Sequence, residues 1–307
     1  MQWGFVAGAI VSAVWIHVVA AGNRPSHVGP YNVIPFANLS LLLGMLSILS
    51  LGWTPPRAWF DAGLKLLAGA AGLYTSYLSG TRGSWLAIPV LAVIVVAASR
   101  RLRLHHKAAI FAVVMGGMTL VAYFSRWVKL RIAEAMSEFS LTVPTSALDT
   151  SVGVRLQLWQ ASIEMFMEHP LTGVGPEGFS AALDALAARS EVTPLAASLM
   201  HSHNDLLFAM ATLGVPGLCA VLATYLVPAW FFLRHLRLAD PAIRWISFTG
   251  LACCLGFLAF GLTEAMFVIA VTNAFYTLVM AACFAGIVIR RQQLASVPPP
   301  AGQPSSG

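Results

Sequence analysis

One short stretch of the sequence places side chains that can act as a base next to each other. His201 and His203 flank Ser202, and Asn204 and Asp205 follow directly before a long apolar run. An imidazole gains and loses its proton near neutral pH, so a histidine at a membrane edge can act as a general base. Asn204 or Asp205 could cap a helix that begins here or orient the ring. A purely structural role for His203 is the alternative.

A His-x-His pair could also bind a metal ion. Zinc needs at least three protein ligands, and the sequence near His201 and His203 supplies no convincing third. The four cysteines lie inside apolar runs without metal-type spacing, which is typical of packing residues. We therefore predict that the protein has no metal site and needs no cofactor.

Two arginines are candidates for binding an anion. Arg82 lies between Gly80 and Gly83 at a break between two apolar runs, with no acid within four residues. A cation there is costly unless it pairs, snorkels or meets an anionic ligand. Arg155 lies near the start of a predicted helix. Each arginine alone could simply anchor a helix end, but two guanidinium groups on the same side of a membrane would suit a diphosphate.

The segments around these residues are typical of a membrane protein. Of 307 residues, 58% are hydrophobic and 10% are charged, whereas soluble domains carry about 25% charged residues. The formal charge of +6 is explained by basic cytoplasmic loops, and no nucleic-acid partner is expected. Apolar runs of about 20 residues predict eight spans: 3–21, 33–53, 61–78, 84–98, 108–124, 205–233, 242–262 and 265–289.

The eight spans define an organisation and an orientation. Basic residues cluster in three places, at 100–107, 234–244 and 290–291. With eight spans, all three clusters fall on one side of the membrane, which the positive-inside rule assigns to the cytoplasm. Arg82, Arg155 and the two histidines then lie on the opposite side. The predicted parts are spans 1–5 over residues 1–124, a polar loop with interfacial helices over 125–204, spans 6–8 over 205–290 and a disordered tail over 291–307.

The polar loop has helical patterns of its own. Residues 152–168 predict an amphipathic helix at the membrane surface, with an apolar face formed by Val154, Leu158, Ala161, Ile163 and Phe166. His169 and Pro170 end it, and a second short helix is predicted over 181–189. The glycines between the two helices are a weak phosphate-binding signal because no strand precedes them: Gly173, Gly175 and Gly178.

Three segments in this order resemble the signatures of the O-antigen ligase superfamily, which includes O-antigen ligases, O-antigen polymerases and bacterial protein O-oligosaccharyltransferases. The segments are SGTRGSWLAIPV, VRLQLWQASIEMFMEHPLTGVGPEGF and HSHNDLLFAMATLGVPGL. The earlier segment GPYNVIPFANLSLLLG also resembles the family's Asn-containing entry to a span. The resemblance covers roughly residues 27–220.

The resemblance implies an all-α, GT-C-like, polytopic transmembrane bundle in the bacterial inner membrane, with a large periplasmic loop. It also implies a metal-independent, inverting glycosyltransferase. Arg82 and Arg155 match the arginines that bind the diphosphate of undecaprenyl-diphosphate-linked O-antigen. His203 matches the histidine that activates the acceptor hydroxyl. Second candidates for substrate contact are His201, Asn204, Glu177 and Trp159, and Glu264 is a further polar group on the same side.

The expected member is the ligase that transfers O-antigen to lipid A-core. The polymerase and the protein O-oligosaccharyltransferase share its chemistry and differ in acceptor. Family members carry more spans than eight, and the additional ones would precede Met1. The alternative from another class is a transporter of lipid-linked sugar, which predicts ionisable residues in the middle of spans. His17 is the main such residue, so the sequence favours catalysis at the outer face.

Overall fold

The computed structural model describes residues 1–20, 25–29, 31–53, 58–98 and 149–296, with a few isolated positions between 105 and 117. A two-residue hairpin pairs β1 (His27–Val28) with β2 (Tyr31–Asn32), and a 3-10 turn covers Ser50–Trp53. The described helices are α1 (Gln2–Ala20), α2 (Val33–Leu49), α3 (Trp59–Ser79), α4 (Arg82–Ala98), α5 (Ser151–Glu168), α6 (Gly178–Ala188), α7 (Pro194–Ala197), α8 (Asp205–His235), α9 (Pro241–Gly261) and α10 (Ala270–Ala295).

The predicted all-α, polytopic membrane class is confirmed. Helices α1–α4 and α8–α10 lie where seven of the eight spans are predicted, and span 108–124 falls outside the described ranges. Among the described helices, α1, α8, α9 and α10 are long and apolar enough to cross a membrane. The total number of spans stays a prediction.

Two predicted boundaries near the C-terminus are wrong. The last span begins at Ala270 and not at residue 265, because residues 262–269 form a turn between α9 and α10. Residues 291–295, predicted as the start of the tail, belong to α10 instead. Arg290 explains part of this extension, because its guanidinium donates to the carboxylate of Asp240 at 2.9 Å and ties α10 to the start of α9.

Helices α2 and α3 approach closely because small residues face each other. A Cβ on Gly72 would lie 2.7 Å from the Ser40 carbonyl oxygen, and one on Gly44 would lie 2.9 Å from the Ala68 carbonyl oxygen. Small residues at helix contacts are a common feature of membrane proteins. This packing fixes the α2 segment that carries the buried residue Asn38.

The buried ammonium group of Lys65 joins three elements. Its Nζ donates to Gln2 Oε1 at 3.0 Å, to the Ser50 carbonyl at 3.1 Å and to Asp61 Oδ2 at 3.2 Å. A buried charge is costly unless it is paired and hydrogen-bonded. The charges at the start of α3 therefore hold α1, α3 and the 3-10 turn together, inside the bundle.

The helix predicted over 152–168 is confirmed as α5, but its buried face differs from the predicted one. The fully covered stripe consists of Val154, Leu158, Ala161 and Met165, and it packs with residues of α6, α7 and α8. Ile163 is 48% exposed, because it lies off this stripe on the helical wheel. The second short helix, α6, begins at Gly178, three residues before the predicted start. Whether α5 lies on a membrane surface stays a prediction.

A kink in α8 receives the connection between α5 and α6. Gly214 has φ of +65° and ψ of −154° inside the helix, which frees nearby backbone groups. The carbonyl oxygens of Ala211 and Thr212 accept from Val174 N and Gly175 N, each at 2.9 Å. The loop after α5 is thereby fixed against α8 by backbone hydrogen bonds, close in sequence to the helix start that carries the histidines.

Replacing Gly214 by Ala should destabilise the protein. Its backbone conformation is essentially restricted to glycine, and a Cβ there would lie 2.6 Å from the Pro170 carbonyl oxygen. A residue with a Cβ in such a conformation costs about 1–3 kcal/mol, which corresponds to a Tm lower by about 2–12 °C. Thermal unfolding in detergent measures this. Gly63→Ala is the control, since a Cβ at Gly63 meets nothing within 4 Å; equal stability of both variants would contradict the prediction.

Candidate active site

The His-x-His stretch forms a short loop that is held on both sides. The indole Nε1 of Trp159, on α5, donates to the Ser202 carbonyl at 3.1 Å. Asn204 Oδ1 accepts from two backbone N–H groups in the first turn of α8, at 3.0 and 3.1 Å, which is an N-cap. Asn204 Nδ2 donates to the Leu262 carbonyl at 3.1 Å, just after α9. The prediction that Asn204 caps a helix is confirmed.

Buried Asp205 ties the same helix start to the turn between α9 and α10. Its Oδ2 accepts from the Tyr225 hydroxyl at 2.6 Å, and its Oδ1 accepts from Phe267 N at 3.1 Å. Phe267 belongs to the turn 262–269, which also carries Glu264. The segment that follows His203 is therefore connected to the turn on both sides of Glu264, at Leu262 and at Phe267.

His203 forms a hydrogen-bonded pair with Glu264. His203 Nδ1 lies 2.9 Å from Glu264 Oε1, and the Ala265 N–H donates to the same oxygen at 3.0 Å. The Glu264 side chain is 2% exposed, and that of His203 is 15% exposed. A carboxylate at Nδ1 favours the tautomer in which Nδ1 carries the proton and Nε2 is a free acceptor. Within the described part of the chain, Nε2 makes no hydrogen bond.

The backbone of His203 is held in an uncommon conformation. Its φ is +51°, in the left-handed region that residues other than glycine seldom adopt. Such residues persist only where the surroundings enforce them, and they cluster at functional sites. Here the hydrogen bonds of Trp159 and Asn204 to the loop supply that constraint.

The charges of the cluster follow from burial and pairing. Burial raises the pKa of Glu264, but the hydrogen bond from His203, the charges of both imidazoles and the Ala265 N–H outweigh it and lower the pKa overall. Burial lowers the pKa of His201; Glu264 opposes this effect and His203 adds to it. We therefore expect Glu264 to be a carboxylate and His201 to be neutral at pH 7.

Arg155 is a partly buried cation beside this cluster. Burial lowers the pKa of Arg155, and the negative charge of Glu264 partly offsets the effect. Arginine stays protonated in proteins. Among the described residues, its guanidinium group makes no hydrogen bond or ion pair, although Glu264 acts on it electrostatically. A desolvated guanidinium with unused donors is suited to an anionic ligand.

Arg82 is the first residue of α4, and its side chain lies outside the described part of the structure. It follows Gly80, which ends α3 in a left-handed conformation with φ of 61°. A series of polar contacts connects this break to the Glu264 turn. The contacts are Ser79 Oγ–Thr81 Oγ1 at 2.7 Å, Thr81 Oγ1–Ser84 Oγ at 2.7 Å, Ser84 Oγ–Asn38 Oδ1 at 2.5 Å and Asn38 Nδ2–Met266 Sδ at 3.5 Å.

The second candidates differ in what they contact. Trp159 and Asn204 use their polar groups to hold the histidine loop. His201 lies next to the pair, with its Nδ1 3.8 Å from Glu264 Oε1. Glu177 is exposed at the start of α6, and nothing in the described ranges hydrogen-bonds or pairs with its side chain. The sequence did not identify Glu264 as the partner of His203. The signal that could have done so is its position as a lone acid between two apolar runs.

The prediction that no third metal ligand lies near the histidines is wrong. One ligand atom from each of His201, His203 and Glu264 lies within 4.8 Å of the others. Glu264 is far away in sequence and reaches the pair because the turn after α9 crosses the start of α8. By contrast, the glycine loop offers little to a phosphate, since Gly173 N donates to the His169 carbonyl and Gly175 N to the Thr212 carbonyl.

Fold and site together define a polytopic helical membrane protein with a histidine–carboxylate pair and, beside it, a guanidinium that has no hydrogen-bond partner among the described residues. The family model described as O-antigen ligase matches residues 66–222, more than half of the chain. The chain therefore belongs to the O-antigen ligase family. The match contains Arg82, Arg155 and His203 and ends before Glu264.

The chain is similar to two curated proteins, one of which is described as an O-antigen ligase. The chain is 23% identical over 216 residues to an O-antigen ligase of Escherichia coli strain K12, covering 69% of this chain and 50% of that protein. It is 22% identical over 222 residues to an uncharacterized protein of Haemophilus influenzae, covering 71% of this chain and 55% of that protein. The chain thus spans about half the length of the curated relatives it matches.

Proposed function

We propose that this protein is an inverting glycosyltransferase that transfers O-antigen polysaccharide from undecaprenyl diphosphate to lipid A-core. The reaction would take place at the periplasmic face of the bacterial inner membrane. The observation that carries the proposal is the His203–Glu264 pair, in which one ring nitrogen is held by a buried carboxylate and the other has no partner in the described chain. Family membership supports the substrate class.

His203 acts as the general base in this proposal. Its Nε2 accepts the proton of the attacking sugar hydroxyl as the oxygen bonds to the anomeric carbon of the donor. The bond between that carbon and the diphosphate oxygen breaks, and its electron pair leaves with the diphosphate. Glu264 stabilises the imidazolium that forms, and the proton is later released to water. Attack from the face opposite the leaving group inverts the anomeric centre.

Arg155 and Arg82 bind the leaving diphosphate in this proposal. Negative charge grows on the diphosphate as the carbon–oxygen bond breaks, and preorganised cations stabilise it most at that stage. The guanidinium of Arg155, which has no hydrogen-bond or ion-pair partner in the described ranges, supports this role. The polar contacts between the Arg82 break and the Glu264 turn bring the Arg82 backbone to the same region of the molecule.

An apolar cleft supports a lipid-linked donor. It has a volume of about 630 Å³ and runs between α8 and α10, with Asp205 and Phe267 at one end and Pro228 and Met280 among its other lining residues. Asp205 and Phe267 belong to the segments that hold His203 and Glu264. A hydrocarbon chain in this cleft would therefore have its polar end beside the candidate site.

The proposed reaction does not need a metal ion, because guanidinium groups stabilise the negative charge on the leaving diphosphate, which other enzymes stabilise with Mg²⁺. Excess chelator should therefore leave the initial rate of transfer within about twofold of the untreated enzyme. The measurement is transfer by purified full chain with EDTA, with and without later addition of Mg²⁺. A large loss that Mg²⁺ restores would contradict the proposal.

The acceptor is identified by comparing transfer to three candidate acceptors in separate reactions. Purified protein in nanodiscs is incubated with undecaprenyl-diphosphate-linked glycan and, separately, with lipid A-core, a second lipid-linked glycan or a pilin-like protein. Transfer to lipid A-core identifies the ligase, and the other two products identify the polymerase or the protein O-oligosaccharyltransferase. Absence of transfer to every acceptor, with the lipid-linked glycan left intact, would overturn the proposal.

Glu264→Gln should reduce kcat by roughly 10–100-fold, the range known for outer-shell carboxylates that orient metal-bound histidines. The amide oxygen can still accept from Nδ1, so the ring keeps its place, but the negative charge that favours the imidazolium is lost. The acid limb of the pH–rate profile should therefore move to lower pH. Glu168→Gln is the matched control, because Glu168 is exposed on α5. A reduced rate with an unmoved profile would indicate a merely structural role.

A further inference from the structure

We infer that His201, His203 and Glu264 form a binding site for one transition-metal ion, Zn²⁺ above all, and that this ion inhibits the protein. The three side chains offer two imidazole nitrogens and a carboxylate oxygen, which are ligand types that zinc prefers. The binding step depends only on the geometry of these residues. The inhibition rests on the proposed function, because it concerns the base.

The distances between the ligand atoms fit a tetrahedral ion after small adjustments. Zinc bonds of about 2.0–2.1 Å at tetrahedral angles place neighbouring ligand atoms roughly 3.3 Å apart. Glu264 Oε1 lies 2.9 Å from His203 Nδ1 and 3.8 Å from His201 Nδ1, one value below and one above that separation. His201 Nδ1 accepts a hydrogen bond from the His203 N–H at 3.4 Å, which a bound ion would replace.

A second observation at this cluster concerns the other oxygen of the Glu264 carboxylate. Glu264 Oε2 is buried and has no hydrogen-bond partner in the part of the chain that the structure describes, whereas Oε1 accepts two hydrogen bonds. A buried carboxylate oxygen without a partner is costly, and such atoms often mark a water or ion site. A cation held by the carboxylate would compensate this oxygen.

Metal binding would disable the base through the tautomer of His203. With Glu264 as partner, Nδ1 carries the proton and Nε2 has the lone pair. An ion on Nδ1 needs a lone pair on that nitrogen, so the Nδ1 proton is released to water and Nε2 takes up a proton from water in its place. The ring stays neutral but now has an N–H where the acceptor hydroxyl needs a base. Ion binding and proton acceptance at Nε2 therefore exclude each other.

The test is direct binding of Zn²⁺ to the metal-free, full-length protein in detergent, by calorimetry and by elemental analysis after dialysis. We expect one ion per chain. His201→Ala and Glu264→Gln should each weaken binding by at least about tenfold, since even outer-shell changes at metal sites cost 10–100-fold. His169→Ala is the control, because His169 is exposed at the end of α5. Mg²⁺, which prefers oxygen ligands, should not compete.

Binding weaker than millimolar, or binding that both variants retain, would overturn the inference. Circular dichroism and gel filtration of each variant separate a lost site from a lost fold. A second measurement adds Zn²⁺ to the transfer assay, where inhibition should be reversed by chelator. Zinc binding without any transfer activity would contradict the proposed function but not the metal site. Transfer that is not slowed when the site is saturated with Zn²⁺ would contradict the inhibition.

Discussion

His203→Ala should lower the rate of glycan transfer by about 10²–10⁴-fold, the contribution typical of a positioned general base. The variant removes the imidazole that is hydrogen-bonded to the buried Glu264 carboxylate, and with it the Nε2 that would take the hydroxyl proton. The measurement is the initial rate with saturating lipid-linked glycan and acceptor. Binding of the lipid-linked donor should change little, because the histidine acts on the acceptor.

The control for His203→Ala is His169→Ala, which removes an exposed histidine at the end of α5. We expect it to keep the wild-type rate. The variant His203→Gln adds a second comparison, since an amide can hydrogen-bond to Glu264 but cannot accept a proton. Near-wild-type transfer by His203→Gln would show that the ring serves only to hold the loop, and it would remove the base from the mechanism.

Hydropathy predicted the helices well because each membrane span must satisfy its own backbone hydrogen bonds. Length and apolar composition then locate it without knowledge of its neighbours. The boundaries around residues 262–269 and the end of α10 were less predictable. They depend on contacts between distant segments, such as the hydrogen bond from Phe267 N to Asp205 and the ion pair of Arg290 with Asp240.

The candidate site was predictable only where its residues are close together in the chain. His203 and Asn204 share one stretch, and the capping pattern there indicates a helix start. Glu264 is separated from them by the whole of α8 and α9, so no local spacing indicates that it bonds His203. The contact between the Gly214 kink and the loop after α5 could not be predicted for the same reason. Val174 and Gly175, which donate to α8 there, are far from the kink in sequence.

Arg155→Ala should reduce kcat/KM by roughly 10²–10³-fold, the range for removing one preorganised group that stabilises developing charge. The guanidinium is partly buried and has no hydrogen-bond partner among the described residues. Its removal would deprive the diphosphate of the N–H groups that this side chain can donate. Because charge on the diphosphate increases as the bond breaks, the effect on kcat/KM should exceed the effect on donor binding.

Arg155→Lys separates charge from geometry. Lysine keeps the positive charge but cannot bind a phosphate with two parallel N–H groups, so an intermediate rate is expected. Arg189→Ala is the matched control: Arg189 is 54% exposed and pairs with Glu164 and Glu191 at the surface. Donor binding measured on vesicles that contain undecaprenyl diphosphate completes the comparison. Equal rates for Arg155→Ala and Arg189→Ala would mean that Arg155 does not face the leaving group, because a desolvated cation there must otherwise change the barrier.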